Sequence, residues 1–162
     1  MATKAQAIPK GYHTVTPSLV VAGAVKAIDF YKKAFGAEEK SRYAGPDGRI
    51  MHAEIKIGDS VVTMSDEMPE HGSKGPQSFG GTPVSFFIYQ DNVDAAWKRA
   101  VDAGGKPIMP LADQFWGDRS GCIEDPFGHH WWLSQRIKDL TPDELRKAAD
   151  EFFSQMQTTA GR

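Results

Sequence analysis

The segment DPFGHHWWLSQ, Asp125 to Gln135, joins a sharp turn to a strand in which the character of the side chains alternates. Its Asp-Pro-x-Gly start is typical of a turn, because proline presets φ and glycine accepts the left-handed region. Successive strand residues point to opposite faces. The alternation predicts His130, Trp132 and Ser134 on one face, and His129, Trp131 and Leu133 on the other. One tryptophan can then belong to the core while the other lines a pocket; the alternative is that both are core.

The same order of elements occurs twice along the chain. HTVTPSLVV reads as a strand, AVKAIDFYKKAFGAEE as a helix ending at Gly36, and PDGRIMHAEIKIGDSVVTMSDE as two or three antiparallel strands. In the second half, TPVSFFIYQ is a strand, NVDAAWKRAVDAGG a helix ending at Gly104, and the following residues form short strands. Gly36 and Gly104 are 68 residues apart, as are Val25 and Val93. This spacing predicts a duplicated βαβββ unit, with coincidence of two helix patterns as the alternative.

Two segments lie outside the repeats. The stretch PEHGSKGPQSFGG, which contains His71, is rich in glycine, proline and serine and is interpreted as a linker or a lid. After the second repeat, Thr141 and Glu144 fit a capping box, so TPDELRKAADEFFSQM is predicted to be a helix. Its apolar stripe is expected to pack on the body or on a second subunit. The predicted organisation is one domain over residues 12–136, with modules at about 12–67 and 82–136, and a helical extension over 137–162.

Composition excludes several classes of function. With 162 residues and 40% hydrophobic content, the chain can form one compact domain. A formal net charge of -2 leaves no basic excess for nucleic acid. The N-terminal stretch MATKAQAIPKGYHTV contains no apolar run that would fit a signal peptide or a membrane span, and the single cysteine, Cys122, cannot form an intramolecular disulfide. We therefore expect a cytoplasmic protein that contacts neither nucleic acid nor membrane.

Taken together, the two βαβββ units, the IDFYKKAFGA helix and the DPFGH turn resemble the vicinal oxygen chelate superfamily of glyoxalase I, extradiol dioxygenases and bleomycin-resistance proteins. The strings PDGRIMHAEIKIGDS, SDE, GGTPV, DNVDAAWKRAVDAG and FWGDRSGCIEDPFGHHW resemble its PhnB-like branch. The resemblance covers residues 12–136. It implies an α+β fold in which two modules form a glyoxalase/bleomycin-resistance-type cupped sheet around a small ligand, and it implies a homodimer. The methyltransferase label that some PhnB-like proteins carry gains no support, because no glycine-rich nucleotide loop follows a strand.

The resemblance also implies four metal-ligand positions, normally occupied by His and Glu. In this sequence they fall at Thr16, at Val62, Thr63 or Ser65, at Ser85 and at Trp132. Hydroxyls and an indole are poor ligands for the divalent ions concerned. We therefore expect no metal and no other cofactor, and we expect Trp132 to face the cup instead.

Aromatic and basic residues near the cup suggest what it binds. Phe87, Phe115 and Trp116 are predicted to border it beside Trp132, and Arg119 offers a bidentate grip on an anionic group. A planar or apolar ligand with an anionic group would suit them. The competing interpretation of Arg119 is a structural ion pair with Asp118 or Glu124.

The strand IMHAEIKI contains the residues that are candidates for catalysis. His52 and Glu54 share one face about 7 Å apart, a separation at which an imidazole and a carboxylate can cooperate in proton transfer beside a carbonyl. Lys56 continues the same row, which equally fits a solvated outer face. Cys122 has no basic neighbours in sequence and is not expected to be a nucleophile.

These observations lead to one expected function and two alternatives. We expect a PhnB-like glyoxalase/bleomycin-resistance family protein that binds a small organic molecule, anionic or aromatic, in an aromatic-lined cup. One alternative is a metal-dependent lyase, isomerase or dioxygenase that uses His52, Glu54 and a residue of the second module; the other is a protein that sequesters an antibiotic. The ligand-binding candidates are Thr63, Ser85, Phe87, Phe115, Trp116, Arg119 and Trp132.

Overall fold

The computed structural model describes residues 5–160; residues 1–4 and 161–162 lie outside it. Two four-stranded sheets, each with one long helix, form the body, and the predicted α+β fold with a C-terminal helix is confirmed. The first unit comprises β1 (Ser18–Val21), α1 (Ala24–Phe35), β2 (Glu38–Ala44), β3 (Ile50–Ile57) and β4 (Ser60–Asp66). The second comprises β5 (Ser85–Tyr89), α3 (Val93–Asp102), β6 (Lys106–Asp113), β7 (Asp118–Glu124) and β8 (His130–Arg136).

The two sheets have the same topology, with strand orders β1-β4-β3-β2 and β5-β8-β7-β6. The pairs β1–β4 and β5–β8 are parallel, and all other pairs are antiparallel. Helices α1 and α3 contact each other and cover one face of each sheet, so both sheets share a single core. The opposite face of each sheet, which turns away from the helices, is here called its open face.

Alternation along the strands determines which side chains reach the open faces. In β3, Ala53 and Ile55 are buried against the helices, whereas His52, Glu54 and Lys56 are only half-buried on the other side. In β8, Trp131 is buried in the core and Trp132 lies on the open face, as the sequence predicted.

Strand β1 is shorter than the sequence pattern suggests. Pairing begins next to Pro17, whose carbonyl accepts a hydrogen bond from the Thr63 backbone N–H. Because proline has no N–H to donate, the β-prone residues before it do not extend the ladder.

The segment between the modules is more ordered than a bare linker. It contains a short 3-10 helix, Pro69–His71, and a single helical turn, α2 (Pro76–Phe79). The Glu67 carboxylate accepts hydrogen bonds from the Gly75 backbone N–H and the Ser78 hydroxyl, both at 2.6 Å. On the other side, Gln77 Nε2 donates to the Pro126 carbonyl at 2.9 Å. The segment is therefore tied to both modules.

Helix α4 (Pro142–Ala160) begins at the predicted capping box. The Glu144 backbone N–H donates to Thr141 Oγ1 at 3.3 Å, and the Thr141 N–H donates to Glu144 Oε2 at 2.8 Å. Across residues 5–160, no helix has both the length and the apolar character that crossing a bilayer requires.

Glu39 joins α1 to β2 through two ion pairs and should make stability depend on pH. Hydrogen bonds from Arg42 (2.7 Å) and Lys32 (2.6 Å) lower the pKa of Glu39 from 4.5 to about 2. A depressed carboxyl pKa stabilises the fold above the ordinary pKa, and that contribution disappears as pH falls through the lowered one. Glu39→Gln should lower the free energy of unfolding by about 1 kcal/mol at pH 7.

Urea unfolding between pH 7 and pH 2.5 tests this. The difference between Glu39→Gln and the parent protein should hold down to about pH 4.5 and shrink below it. Glu38→Gln, on a more exposed carboxylate of the same strand, is the control. A Glu39→Gln difference that does not change with pH would show that Glu39 contributes through packing rather than charge.

Candidate functional site

The open face of the first sheet presents a hydrogen-bonded group of three side chains. His52 Nε2 lies 3.1 Å from Glu54 Oε1, and the Tyr12 hydroxyl donates to the same carboxylate. The bond from Tyr12, followed by that from His52, lowers the pKa of Glu54. The reciprocal interaction raises the pKa of Tyr12 to about 12.

This geometry determines which imidazole nitrogen is available. An ionised carboxylate only accepts, so the imidazole presents Nε2–H to Glu54 and keeps its lone pair on Nδ1. The His52 side chain is 45% exposed, which leaves Nδ1 open to a bound molecule. Local sequence gave no signal for Tyr12, because it precedes the first strand and reaches Glu54 only through the fold.

Strand register extends this group into a polar row. Ser18, Thr63, Glu54 and Ser41 lie side by side on four adjacent strands. Thr63, one of the ligand-binding candidates, donates from Oγ1 to the Pro17 carbonyl at 3.3 Å. The first open face is thus polar and carries one imidazole and one carboxylate in contact.

The open face of the second sheet has an apolar row at its centre. Phe87, Trp132, Cys122 and Met109 lie side by side across its four strands. The Phe87 and Trp132 rings are parallel within 1°, with centroids 5.3 Å apart. Phe87 is 51% exposed and Met109 46% exposed. Burial raises the pKa of Cys122 to about 11, so its thiol stays protonated and adds to the apolar character.

Polar groups flank this apolar row on both sides along the strands. On one side, beside Ser85, His130 Nε2 lies 3.5 Å from Glu124 Oε2. On the other side, the buried Asp118 carboxylate accepts hydrogen bonds from the Tyr89 hydroxyl at 3.0 Å and Trp116 Nε1 at 3.1 Å. A molecule lying on the aromatic rings could therefore place polar substituents at either edge.

A cavity of about 500 Å³ opens at the β5 edge of this row. Phe87 and Tyr89 form one wall, and Val15 and Val61 contribute to the opposite side. Its volume lies within the range of small-molecule pockets in proteins.

Arg119 lies on the opposite face of the second sheet from Trp132. Side chains alternate along β7, and Arg119 shares the helix-facing side with Ile123, which is buried in the core. Its guanidinium contacts Asp94 on α3 at 2.8 Å and Asp113 at 2.9 Å. The ion-pair interpretation thus describes Arg119 better than ligand binding does, although the partners are Asp94 and Asp113 rather than Asp118 or Glu124.

Phe115 and Trp116 also lie apart from the Phe87 ring. They form the β6–β7 turn, where the Phe115 ring contacts Phe152 of α4 at 4.9 Å and Phe153 at 5.9 Å. The terminal helix therefore docks on this turn through Phe115, whereas Trp116 donates to Asp118, which also holds Tyr89.

The four positions that the sequence resemblance assigns to metal ligands, the second of them at Val62, Thr63 or Ser65, hold side chains that are poor ligands for a divalent ion. Thr16 precedes β1 and donates to the His13 carbonyl, Thr63 donates to Pro17, and Trp132 stacks on Phe87. Ser85 offers only a hydroxyl. Elsewhere in residues 5–160, His, Cys, Asp and Glu side chains form no group of three or more that could hold a metal.

Comparison with known proteins identifies the family. Residues 12–133 match the Glyoxalase/Bleomycin resistance protein/Dioxygenase superfamily. The chain belongs to this superfamily. One relative is the uncharacterized protein Rv0887c of Mycobacterium tuberculosis. It is 45% identical over 137 residues, which cover 83% of this chain and 81% of the relative.

Solved structures show the same superfamily fold. An Arabidopsis thaliana gene product, At5g48480, matches with 26% identity and a TM-score of 0.62, over 75% of this chain and 98% of that one. A PhnB protein from Bacillus cereus, described as a putative 3-demethylubiquinone-9 3-methyltransferase, matches with 18% identity and a TM-score of 0.57, over 76% and 99%. TnmS3, an antibiotic binding protein from Streptomyces sp. CB03234, matches with 24% identity and a TM-score of 0.58, over 82% and 99%. The resemblance to this superfamily, predicted from sequence, is confirmed, and the PhnB protein shares the fold.

Proposed function

We propose that this protein binds a planar, largely apolar small molecule against the open face of its second sheet. The observation that carries the proposal is the parallel Phe87–Trp132 pair, which continues into Cys122 and Met109 and leaves Phe87 half exposed. Aromatic rings offer a large flat contact area, and an exposed apolar row of this kind commonly marks an interaction site.

The ligand does not need an anionic group. Arg119, the cation expected to hold one, contacts two aspartates on the helix-facing side of the sheet. Polar substituents would instead meet Tyr89 at one edge or His130 at the other. We therefore favour an aromatic ligand with hydroxyl or carbonyl substituents.

The two open faces complement each other, which supports a homodimer. Within one chain both sheets share a core, so each open face lies on the side of its sheet away from that core. A second copy could place its polar row, with His52 and Glu54, over the apolar row of the first. Twofold symmetry would then form two such cups, each with both kinds of wall.

Sedimentation tests the dimer. At micromolar concentration we expect twice the mass of the 17.8 kDa chain. Tyr43→Glu, which adds a charge beside His52 on the open face, should shift the protein toward monomer. Val25→Glu, an equivalent change at an exposed position of α1, should not. A monomer in all three proteins would contradict the composite cup.

Calorimetric titration with 2-naphthol tests the binding itself. Its saturated analogue, decahydro-2-naphthol, has a similar size and the same hydroxyl but cannot stack. We expect 2-naphthol to bind at least about tenfold more tightly, the scale of one aromatic stack. Equal affinities would show that the row is a generic apolar surface.

Binding without turnover, as in sequestration of an antibiotic, is supported by the chemistry of the apolar row. TnmS3 is named as an antibiotic binding protein. In the row itself, the only ionisable group is the Cys122 thiol, whose pKa is raised by burial. A ligand held there would meet no acid or base unless the opposite wall supplied one.

Proton transfer is the second candidate function, and the contact between His52 and Glu54 favours it. The pair has a free imidazole nitrogen and a carboxylate that stays ionised, which are the parts of a general base held in one orientation. The opposite wall of a composite cup would present these groups to a ligand lying on Trp132.

A further inference from the structure

A second cleft lies between β1 and the segment that joins the modules. Its volume is about 370 Å³. Its lining includes Lys74 and Pro76 of the joining segment, Val84 just before β5, Phe86 of β5, and His129. Ser18 of the polar row also borders this cleft, and Phe86 also borders the cavity beside Phe87.

His129 is a buried imidazole that does not hold the turn together through its ring. It is 6% exposed, and its Nδ1 has no hydrogen-bond partner among the described residues. Asp125 Oδ2 lies 3.7 Å from this nitrogen. That carboxylate already accepts hydrogen bonds from Tyr31 and Trp131 and from the backbone N–H groups of Phe127 and His129 itself. The turn is therefore satisfied without the His129 ring.

The tautomer that best suits the nearby Asp125 carboxylate leaves one nitrogen of the His129 ring for the cleft. A proton on Nδ1 faces the Asp125 carboxylate and leaves Nε2 as the nitrogen for a molecule in the cleft. Burial lowers the pKa of His129 more than Asp125 raises it, so the ring is neutral at pH 7. An anion beside Nε2 would favour the imidazolium, which Asp125 would balance from the other side.

Lys74 provides the second polar contact. Among the described residues its ammonium makes no ion pair; the neighbouring Glu67 carboxylate accepts hydrogen bonds from Ser78 and Gly75, which lower the pKa of Glu67 together with a smaller effect of the Lys74 charge. Because the segment is also tied to Pro126, Lys74 is attached to a fixed backbone at the rim of the cleft rather than to a free loop.

The remaining lining selects the kind of anion. Phe86 packs beside His129 with ring centroids 6.4 Å apart, and Val84 is 51% exposed. One ammonium, one imidazole and an apolar wall suit a singly charged group on a compact hydrocarbon body better than a phosphate, which needs more donors. We propose that this cleft binds a small organic carboxylate, held between Lys74 and His129 with its apolar part against Phe86. The cleft shares Pro17 and Phe86 with the cavity beside Phe87, whereas Lys74 and His129 line this cleft and not that cavity, so the proposal does not depend on the proposed function.

Cyclohexanecarboxylate is a suitable probe, since its puckered ring cannot stack on Phe87 and Trp132. Proton NMR of the histidine imidazoles should show the His129 signals shifting with saturation, while those of His52 and His130 stay in place. Calorimetry should give at least tenfold weaker binding for Lys74→Gln and for the neutral analogue cyclohexylmethanol. Lys33→Gln, on an exposed face of α1, should bind like the parent protein, and so should Trp132→Ala, which alters only the cup.

Several results would overturn the proposal. Shifts at His52 or His130 instead of His129 would place the probe on an open face. Equal affinities of Lys74→Gln and Lys33→Gln would remove Lys74 from the site. Inorganic phosphate that displaces the probe at equal concentration would show an anion site without selectivity for a carboxylate. Because these measurements use the folded parent protein and exposed lysines, they do not depend on whether a His129 variant folds.

Discussion

Asp125→Ala is expected to lower the free energy of unfolding by about 3–5 kcal/mol, the scale of losing the acceptor for several buried donors. The Asp125 side chain is fully buried. It accepts the Tyr31 hydroxyl at 2.7 Å, Trp131 Nε1 at 2.8 Å, and the Phe127 and His129 backbone N–H groups at 2.8 and 3.0 Å. One carboxylate therefore fixes the turn before β8 and joins it to α1 of the other module.

The protonation state of Tyr31 supports this role. Burial, and then the charge of Asp125, raise the pKa of Tyr31 well above its ordinary value, so the phenol remains a donor. Alanine would leave this hydroxyl and the Trp131 indole without their acceptor inside the core. Chemical denaturation of Asp125→Ala measures the loss, and Asp102→Ala, in an exposed pair with Lys98, is the control expected to stay near the parent. A loss below about 1 kcal/mol would mean that water or a neighbouring group replaces the carboxylate.

His52→Ala is expected to slow proton exchange at a carbon beside a carbonyl by about 100-fold, the usual contribution of a positioned general base. The measurement is deuterium uptake at the methyl group of acetophenone, an aromatic ketone that can lie against Phe87 and Trp132. Glu54→Gln should slow exchange less, because it removes the group that orients the imidazole while leaving the base in place.

The control for this experiment is His71→Ala, which removes an exposed imidazole from the joining segment. It should exchange deuterium at the parent rate. If the parent protein binds acetophenone but exchanges no faster than His52→Ala, the proton-transfer candidate fails, and binding without turnover remains as the function.

The sequence predicted the fold well because local patterns determine most of it. Glycine after each helix, turn residues between strands and the repeat of 68 residues indicated two modules. Side-chain alternation correctly separated Trp131 from Trp132 and placed His52 and Glu54 on one face. Their catalytic and binding roles stay predictions.

Other parts of the site could not be predicted from local sequence patterns, because they depend on contacts that form only when the chain folds. β7 reads DRSGCIE, whose small residues give no alternation of apolar and polar character, so the side on which Arg119 lies was not evident. Phe115 and Trp116 were assigned to the cup because they are near Arg119 in sequence, whereas Phe115 contacts α4 and Trp116 donates to Asp118. Tyr12 reaches Glu54, and Tyr31 reaches Asp125 across 94 residues, only after the modules pack.

The central claim is that Phe87 and Trp132 bind a planar ligand, and matched phenylalanine variants test it most directly. Phe87 is 51% exposed on the open face, and Phe79 is 70% exposed on α2. Calorimetry with 2-naphthol should show affinity reduced about tenfold to 100-fold in Phe87→Ala and in Trp132→Ala, the scale of a lost aromatic contact. Phe79→Ala should match the parent protein. Parent-like affinity in both Phe87→Ala and Trp132→Ala would contradict the account.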